Sequence, residues 1–63
     1  MITREQIEAL RIEAGIAGDE QMVETCSVAL GEIPSGRLSY SEEACQAAWS
    51  ACERVIADAA AQS

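Results

Sequence analysis

The sequence contains no lysine, histidine or phenylalanine, and its four cationic side chains are all arginines, set against eleven carboxylates. The formal net charge is therefore 4 − 11 = −7. Phosphate backbones and anionic lipid surfaces are bound chiefly through clustered lysine and arginine. We therefore expect no direct binding to nucleic acid and no membrane binding, and a basic protein surface is the favoured partner. The alternative is that the negative charge only keeps a small domain soluble.

The absence of histidine and lysine also limits catalysis. A serine or cysteine nucleophile needs a neighbouring base, and the carboxylates that remain seldom activate a thiol or a hydroxyl. The four glycines are isolated from one another, so the sequence has no glycine-rich phosphate loop. We expect the protein not to be an enzyme and to carry no cofactor.

Cysteine occurs three times, at positions 26, 45 and 52, too few for a four-cysteine metal site. Structural zinc sites use four Cys or His ligands at close spacing, so we expect no metal site. Cys45 and Cys52 are two helical turns apart, roughly 10 Å along the axis, which exceeds the reach of a disulfide. Only Cys26 could pair with either of them, and in a reducing cytosol all three are expected as thiols that fill a tight helical interface.

The sequence contains no long run of apolar residues. The first ten residues, MITREQIEAL, carry a charge every few positions, unlike a secretory signal or a membrane span. We therefore expect a cytoplasmic protein of a bacterial host. An alanine-rich composition with arginine as the sole cation is typical of GC-rich bacterial or phage genomes.

The chain has 63 residues, which is enough for a single domain over residues 1–63. A domain of this size buries only about 60% of the surface that its unfolded chain exposes. Small natural domains often add a disulfide, a metal or a partner, so self-association or a binding partner is expected.

Helix start and stop signals are clear for the first two helices. Thr3 is a good N-cap, Gln6 completes a capping box, and Ile2 can staple onto Ile7. Gly15 is the expected left-handed stop, after which Ile16 would fold back onto Leu10. The second helix should begin at the N-cap Asp19 and end at Gly31, with Pro34 as a further stop signal.

The third helix carries the longest apolar stripe, in which Trp49, Cys52 and Ile56 recur on a 3.6-residue period with further Cys, Ala and Val residues. Its N-cap is either Ser39 or Ser41, and residues 32–38 form a loop. We expect Trp49 and Cys52 to be buried where three helices meet, with Cys26 close by. The sequence thus predicts an all-α, compact three-helix bundle in which the C-terminal helix is the longest, with helices at about 4–14, 20–30 and 41–61.

Two segments, AGDEQMVETCSVAL at residues 17–30 and CERVIADA at residues 52–59, resemble short helical proteins encoded by phages and prophages. Small acidic phage proteins of this kind include anti-CRISPR inhibitors. Several of those resemble DNA in charge and occupy the basic groove of a CRISPR complex. The resemblance implies a protein inhibitor whose target is a basic protein such as a CRISPR-Cas subunit, and it implies no catalytic residue.

Carboxylates spaced by four residues on a helix lie about 6 Å apart, comparable with charges along a nucleic-acid backbone. The expected function is inhibition of a basic nucleic-acid-binding protein by charge mimicry; the alternative is a structural or homodimerisation module. The predicted apolar contacts are Ile12 and Val28, which fall on the outer faces of their helices. The predicted acidic partner-binding residues are Glu5, Glu8, Glu20, Glu24, Glu42, Glu43, Glu53 and Asp58.

Overall fold

The computed structural model describes residues 1–32 and 40–62. These residues form three helices and no strand: α1 (Arg4–Ala17), α2 (Glu20–Ala29) and α3 (Glu42–Gln62). The predicted all-α three-helix bundle is confirmed, and the C-terminal helix is the longest. Most of the predicted loop at 32–38, together with the alternative helix start at Ser39, lies outside the described residues.

The start of α1 agrees with its sequence signals. The Thr3 hydroxyl accepts a hydrogen bond from the Gln6 backbone N–H at 3.2 Å, and the Gln6 side chain accepts one from the Thr3 N–H at 2.8 Å. These reciprocal bonds satisfy two backbone donors that a helix N-terminus would otherwise leave unpaired. Ile2 packs against the core cluster that contains Ile7, which fixes the path of the chain into the helix.

The end of α1 differs from the prediction, because the helix continues through Gly15 to Ala17. The left-handed residue is Gly18, with φ 77°. Its N–H donates to the Gly15 carbonyl at 3.2 Å, and the Asp19 N–H donates to the Ala14 carbonyl at 2.8 Å, which is the Schellman pattern. One glycine inside a helix costs only about 1 kcal/mol relative to alanine, so α1 can continue past Gly15 to this stop.

Asp19 belongs to two helix ends at once. While its backbone closes α1, its carboxylate accepts a hydrogen bond from the Met22 N–H at 3.2 Å and so caps α2. With only two residues between the helices, α2 folds back along α1. The Arg4 guanidinium accordingly reaches the Leu30 carbonyl at the far end of α2, at 3.3 Å.

Gly31 ends α2 as predicted. It adopts a φ of 76°, and its N–H donates to the Val28 carbonyl at 3.0 Å. The Glu32 N–H donates to the Ser27 carbonyl at the same distance, which completes a second Schellman stop.

Ser41 is the N-cap of α3, because its hydroxyl accepts a hydrogen bond from the Ala44 N–H at 3.1 Å. Of the two helix starts that the sequence left open, the structure therefore selects the later one. Glu42 is then the first residue of the helix, and Glu42 and Glu43 lie at its positive end, where negative charge is favourable.

The core is centred on α2 rather than on α3. One cluster of five buried residues joins the three helices: Ile7, Cys26, Ala29, Leu30 and Cys52. Of these, Cys26 and Ala29 belong to α2, and Leu30 caps its C-terminal end. Helix α2 packs against both of its neighbours, whereas α1 and α3 contact each other much less. The short middle helix therefore holds the bundle together.

The apolar stripe of α3 is less buried than predicted. Only Cys52 is fully buried, Trp49 is half-buried against the cluster, and Val55 is 37% exposed. The predicted proximity of Cys26 and Cys52 is confirmed, but full burial of Trp49 is wrong. The reason is the weak packing of α1 against α3, which leaves a groove between those two helices that Val55 and Ile56 line.

Two isoleucines of α1 should differ sharply in their contribution to stability. Ile7 is fully buried, so Ile7→Ala should lower the free energy of unfolding by about 2 to 5 kcal/mol. Ile12→Ala, on the exposed side of the same helix, should change it by no more than about 0.5 kcal/mol. Urea denaturation followed by circular dichroism measures both. Equal losses would contradict the assignment of the buried face.

Two glycines near the end of α1 should respond to alanine in opposite directions. A Cβ at Gly15 would meet no atom within 4 Å, so Gly15→Ala should stabilise the helix by about 0.5 to 1 kcal/mol. Gly18→Ala should destabilise the protein because the left-handed conformation is strained for alanine. A destabilised Gly15→Ala variant in the same denaturation assay would show that α1 ends at residue 14.

Candidate interaction surface

The side of α1 that faces away from the core carries two exposed isoleucines. Ile12 is 63% exposed and Ile16 is 85% exposed, and they lie one helical turn apart on the same face. Glu8 precedes Ile12 by one turn and Glu5 precedes it by two, and both are exposed. We call these four residues, Glu5, Glu8, Ile12 and Ile16, the outer stripe.

A notch of about 290 Å³ lies between the last turns of α1 and the start of α2. Gly15 adjoins Ile16, so this notch borders the outer stripe; the missing side chain at Gly15 leaves it open. Small apolar side chains form part of its wall, and carboxylates of α2 and its cap form the rest. The notch is lined by Ala14, Gly15, Gly18, Asp19, Glu20, Val23 and Glu24.

The arginines of α1 are engaged with the far end of α2. Arg11 forms an ion pair with Glu32, and Arg4 donates to a backbone carbonyl. Within residues 1–32 and 40–62, no ion pair involves the carboxylates of the outer stripe or of the notch. This surface therefore presents negative charge beside exposed aliphatic side chains, and it would attract a cationic partner.

The predicted acidic residues fall into separate groups. Glu5 and Glu8 belong to the outer stripe, and Glu20 and Glu24 line the notch. The other four are on α3, where Glu53 is half-buried and the rest are exposed: Glu42, Glu43, Glu53 and Asp58. Asp58 lines a different groove, between α2 and α3. The structure thus places two of the eight on the same helix face as the exposed isoleucines and two at the neighbouring notch, and it does not arrange all eight in one row.

Val28 does not lie on an outer face as the sequence suggested. It is half-buried and lines a groove with Ala48 of α3, because the long third helix covers that side of α2. The exposed neighbour of Ile12 is Ile16. Its spacing of four residues from Ile12 could have identified it, but the predicted stop at Gly15 had assigned Ile16 to a buried turn.

The buried cysteines form a second chemical feature, away from the outer stripe. The Sγ atoms of Cys26 and Cys52 are 3.8 Å apart and both residues are fully buried, while Cys45 is half-buried. Burial, reinforced by the neighbouring Cys52, raises the pKa of the Cys26 thiol from 9.0 to about 11. In the part of the chain that the structure describes, no three Cys, Asp or Glu side chains are placed to hold a metal ion.

Other features of the described chain give no further indication of function. None of its helices combines the length and the apolar character needed to cross a membrane. Comparisons with protein-family models, curated proteins and solved structures found no match to this chain. The case for a function therefore depends on the residues of the surface itself.

The raised pKa of Cys26 should make stability fall in alkaline solution. The fold favours the protonated thiol, so its contribution is fully present below pH 9, the pKa of an ordinary thiol, and is lost as the pH rises to about 11. Urea denaturation across this range should show a decline that Cys26→Ala reduces. An identical decline in Cys26→Ala would show that another group is responsible.

Proposed function

We propose that this protein binds a cationic, amphipathic segment of another protein through the outer stripe and the notch. In doing so it would act as a stoichiometric inhibitor of a nucleic-acid-binding protein, because it would cover a basic surface that the nucleic acid needs. The observation that carries the proposal is the exposed pair Ile12 and Ile16, which shares a helix face with Glu5 and Glu8, two carboxylates that form no ion pair within residues 1–32 and 40–62.

The apolar part of the surface supplies binding energy. A buried aliphatic side chain contributes about 25 cal/mol per Å² removed from water, so two adjacent isoleucines can anchor the apolar face of a partner helix. Single exposed apolar residues are common on protein surfaces, but two of them one turn apart form a contiguous patch. A domain of 63 residues has little apolar surface to bury, so two isoleucines left in water are a costly use of it. Contact with a partner would bury them.

The charged part of the surface selects the partner. Glu5 and Glu8 lie one turn apart on α1, and Glu20 and Glu24 lie one turn apart on α2, where they line the notch. Basic side chains of a partner could therefore pair with carboxylates of either helix. The notch can accept the aliphatic stem of a lysine or arginine along Ala14 and Val23, with the cationic end at Glu20 or Glu24. Complementary charge of this kind speeds association and rejects acidic partners.

A second copy of the chain is a poorer occupant. Two copies that met through their outer stripes would place Glu5 and Glu8 of each beside acidic residues of the other, and each chain carries a net charge of −7. Like charges held together at an interface oppose association. Homodimerisation through Ile12 and Ile16 is therefore the alternative that the experiment must exclude.

The resemblance to phage-encoded proteins adds a class of target to this proposal. Basic grooves that hold a guide or a DNA strand are common to CRISPR complexes and other nucleic-acid machines, and an acidic surface of this kind would compete for them. A CRISPR-Cas subunit is accordingly among the targets that we propose, on the strength of the segments at residues 17–30 and 52–59.

A defined peptide tests the binding surface. The probe is a synthetic amphipathic helix of roughly 18 residues, five turns, with leucine on one face and arginine on the other. Fluorescence anisotropy should show binding that weakens as salt rises, because the charge contribution is screened. Ile12→Ser with Ile16→Ser should weaken binding about tenfold or more, whereas the control Val55→Ser, which alters another exposed apolar side chain on a different helix, should leave it unchanged.

Matched acidic variants separate a specific surface from general charge attraction. Glu5→Gln with Glu8→Gln, and Glu42→Gln with Glu43→Gln, remove the same charge from two different helices. Only the first pair should weaken binding markedly. Equal losses from both pairs, or no loss from the isoleucine variant, would disprove the proposed surface. A dimer detected by light scattering that dissociates on changing Ile12 and Ile16 would favour self-association instead.

A further inference from the structure

The two fully buried thiols belong to different helices and meet across the core. Cys26 lies on α2 and Cys52 on α3, and their Sγ atoms are 3.8 Å apart. A disulfide requires about 2.05 Å between the sulfurs, so an approach of about 1.8 Å would join them. Rotation of two short side chains and a small shift of α3 can supply this movement.

The geometry points to Cys26 and Cys52 as the site of a reversible intramolecular disulfide, formed when the protein meets a peroxide. One thiol loses its proton and attacks a peroxide oxygen, which gives a sulfenic acid and one water molecule. The second thiol then attacks that sulfur; the S–S bond forms and the hydroxyl leaves with a proton as a second water. Two thiols and one hydrogen peroxide thus give one disulfide and two waters.

Cys45 is not the partner in this reaction. The sequence allowed Cys26 to pair with either cysteine of α3, but only Cys52 is in contact with it. Cys45 lies two turns before Cys52 on the same helix, roughly 10 Å along the axis, and is half-buried. It therefore serves as an internal control, a thiol on the same helix that remains free when the other two are joined.

Burial makes this reaction slow and dependent on opening of the helices. Neither sulfur of the pair is exposed, so a peroxide reaches them when α2 and α3 separate transiently. The raised pKa of Cys26 also keeps its thiolate scarce at neutral pH, which lowers its nucleophilic reactivity. Reducing conditions should therefore leave both thiols free, and sustained oxidation should be needed to join them.

The disulfide would stabilise the domain without altering the outer stripe. It would connect α2 to α3 and close a loop of the chain between residues 26 and 52, which restricts the unfolded state. The outer stripe lies on α1 and takes no part in the reaction, so binding of the cationic peptide should not change. Failure of this inference and failure of the proposed function would therefore appear in separate measurements.

Mass spectrometry of the full chain tests the pairing. After treatment with hydrogen peroxide under native conditions, the intact mass should fall by about 2 Da, for two hydrogens, and one thiol should remain free to alkylation. Digestion with trypsin and chymotrypsin, which cleaves after Trp49, separates Cys45 from Cys52. The cross-linked peptide pair should contain Cys26 and Cys52, and dithiothreitol should separate it.

Two variants and one stability measurement complete the test. Cys45→Ser should form the same cross-link and retain no free thiol, and Cys52→Ala should form none. Because Cys52 is a fully buried core residue whose replacement can unfold the chain, the digest of the unaltered chain decides the pairing. The oxidised protein should melt several degrees above the reduced form. A cross-link through Cys45, oxidation without any cross-link, or a lower melting temperature would overturn the inference.

Discussion

Burial of one face of α2 between its two neighbours is the constraint on which the rest of the structure depends. This helix of ten residues and its C-cap Leu30 supply three of the five residues of the core cluster. Cys26 meets Cys52 of α3, while Ala29 and Leu30 lie in the same cluster as Ile7 of α1. Small side chains such as cysteine and alanine allow the helices to approach closely. The outer sides of α1 and α3 are left free for other roles.

Much of this fold could be predicted from local signals in the sequence. The capping box at Thr3, the N-cap at Asp19 and the glycine stop at Gly31 each depend on residues within a few positions of one another. The end of α1 could not be chosen this way, because Gly15 and Gly18 are both plausible stops. The decision depended on Asp19, whose backbone closes α1 and whose side chain opens α2.

The surface was harder to predict than the fold because exposure depends on how closely each pair of helices packs, and α3 packs against α2 much more than against α1. The helical periodicity of apolar residues predicted that Val28 faces outward and Val55 faces the core. In the structure α3 half-covers Val28, and Val55 is 37% exposed. The sequence correctly placed Ile12 on an outer face. It could not show that Ile16 continues the same stripe, because that depends on the true end of α1. Charge mimicry by all eight predicted carboxylates thus becomes a narrower proposal for four of them.

The proposed cationic partner would meet one face of α1 and the start of α2, and would not be held by negative charge over the whole surface. An NMR titration of isotopically labelled protein with the amphipathic arginine peptide tests this placement most directly. The largest changes in amide chemical shift should occur between residues 5 and 24, around Ile12, Ile16 and Glu20. Changes of equal size at Glu42, Glu43 and Asp58 would contradict this placement.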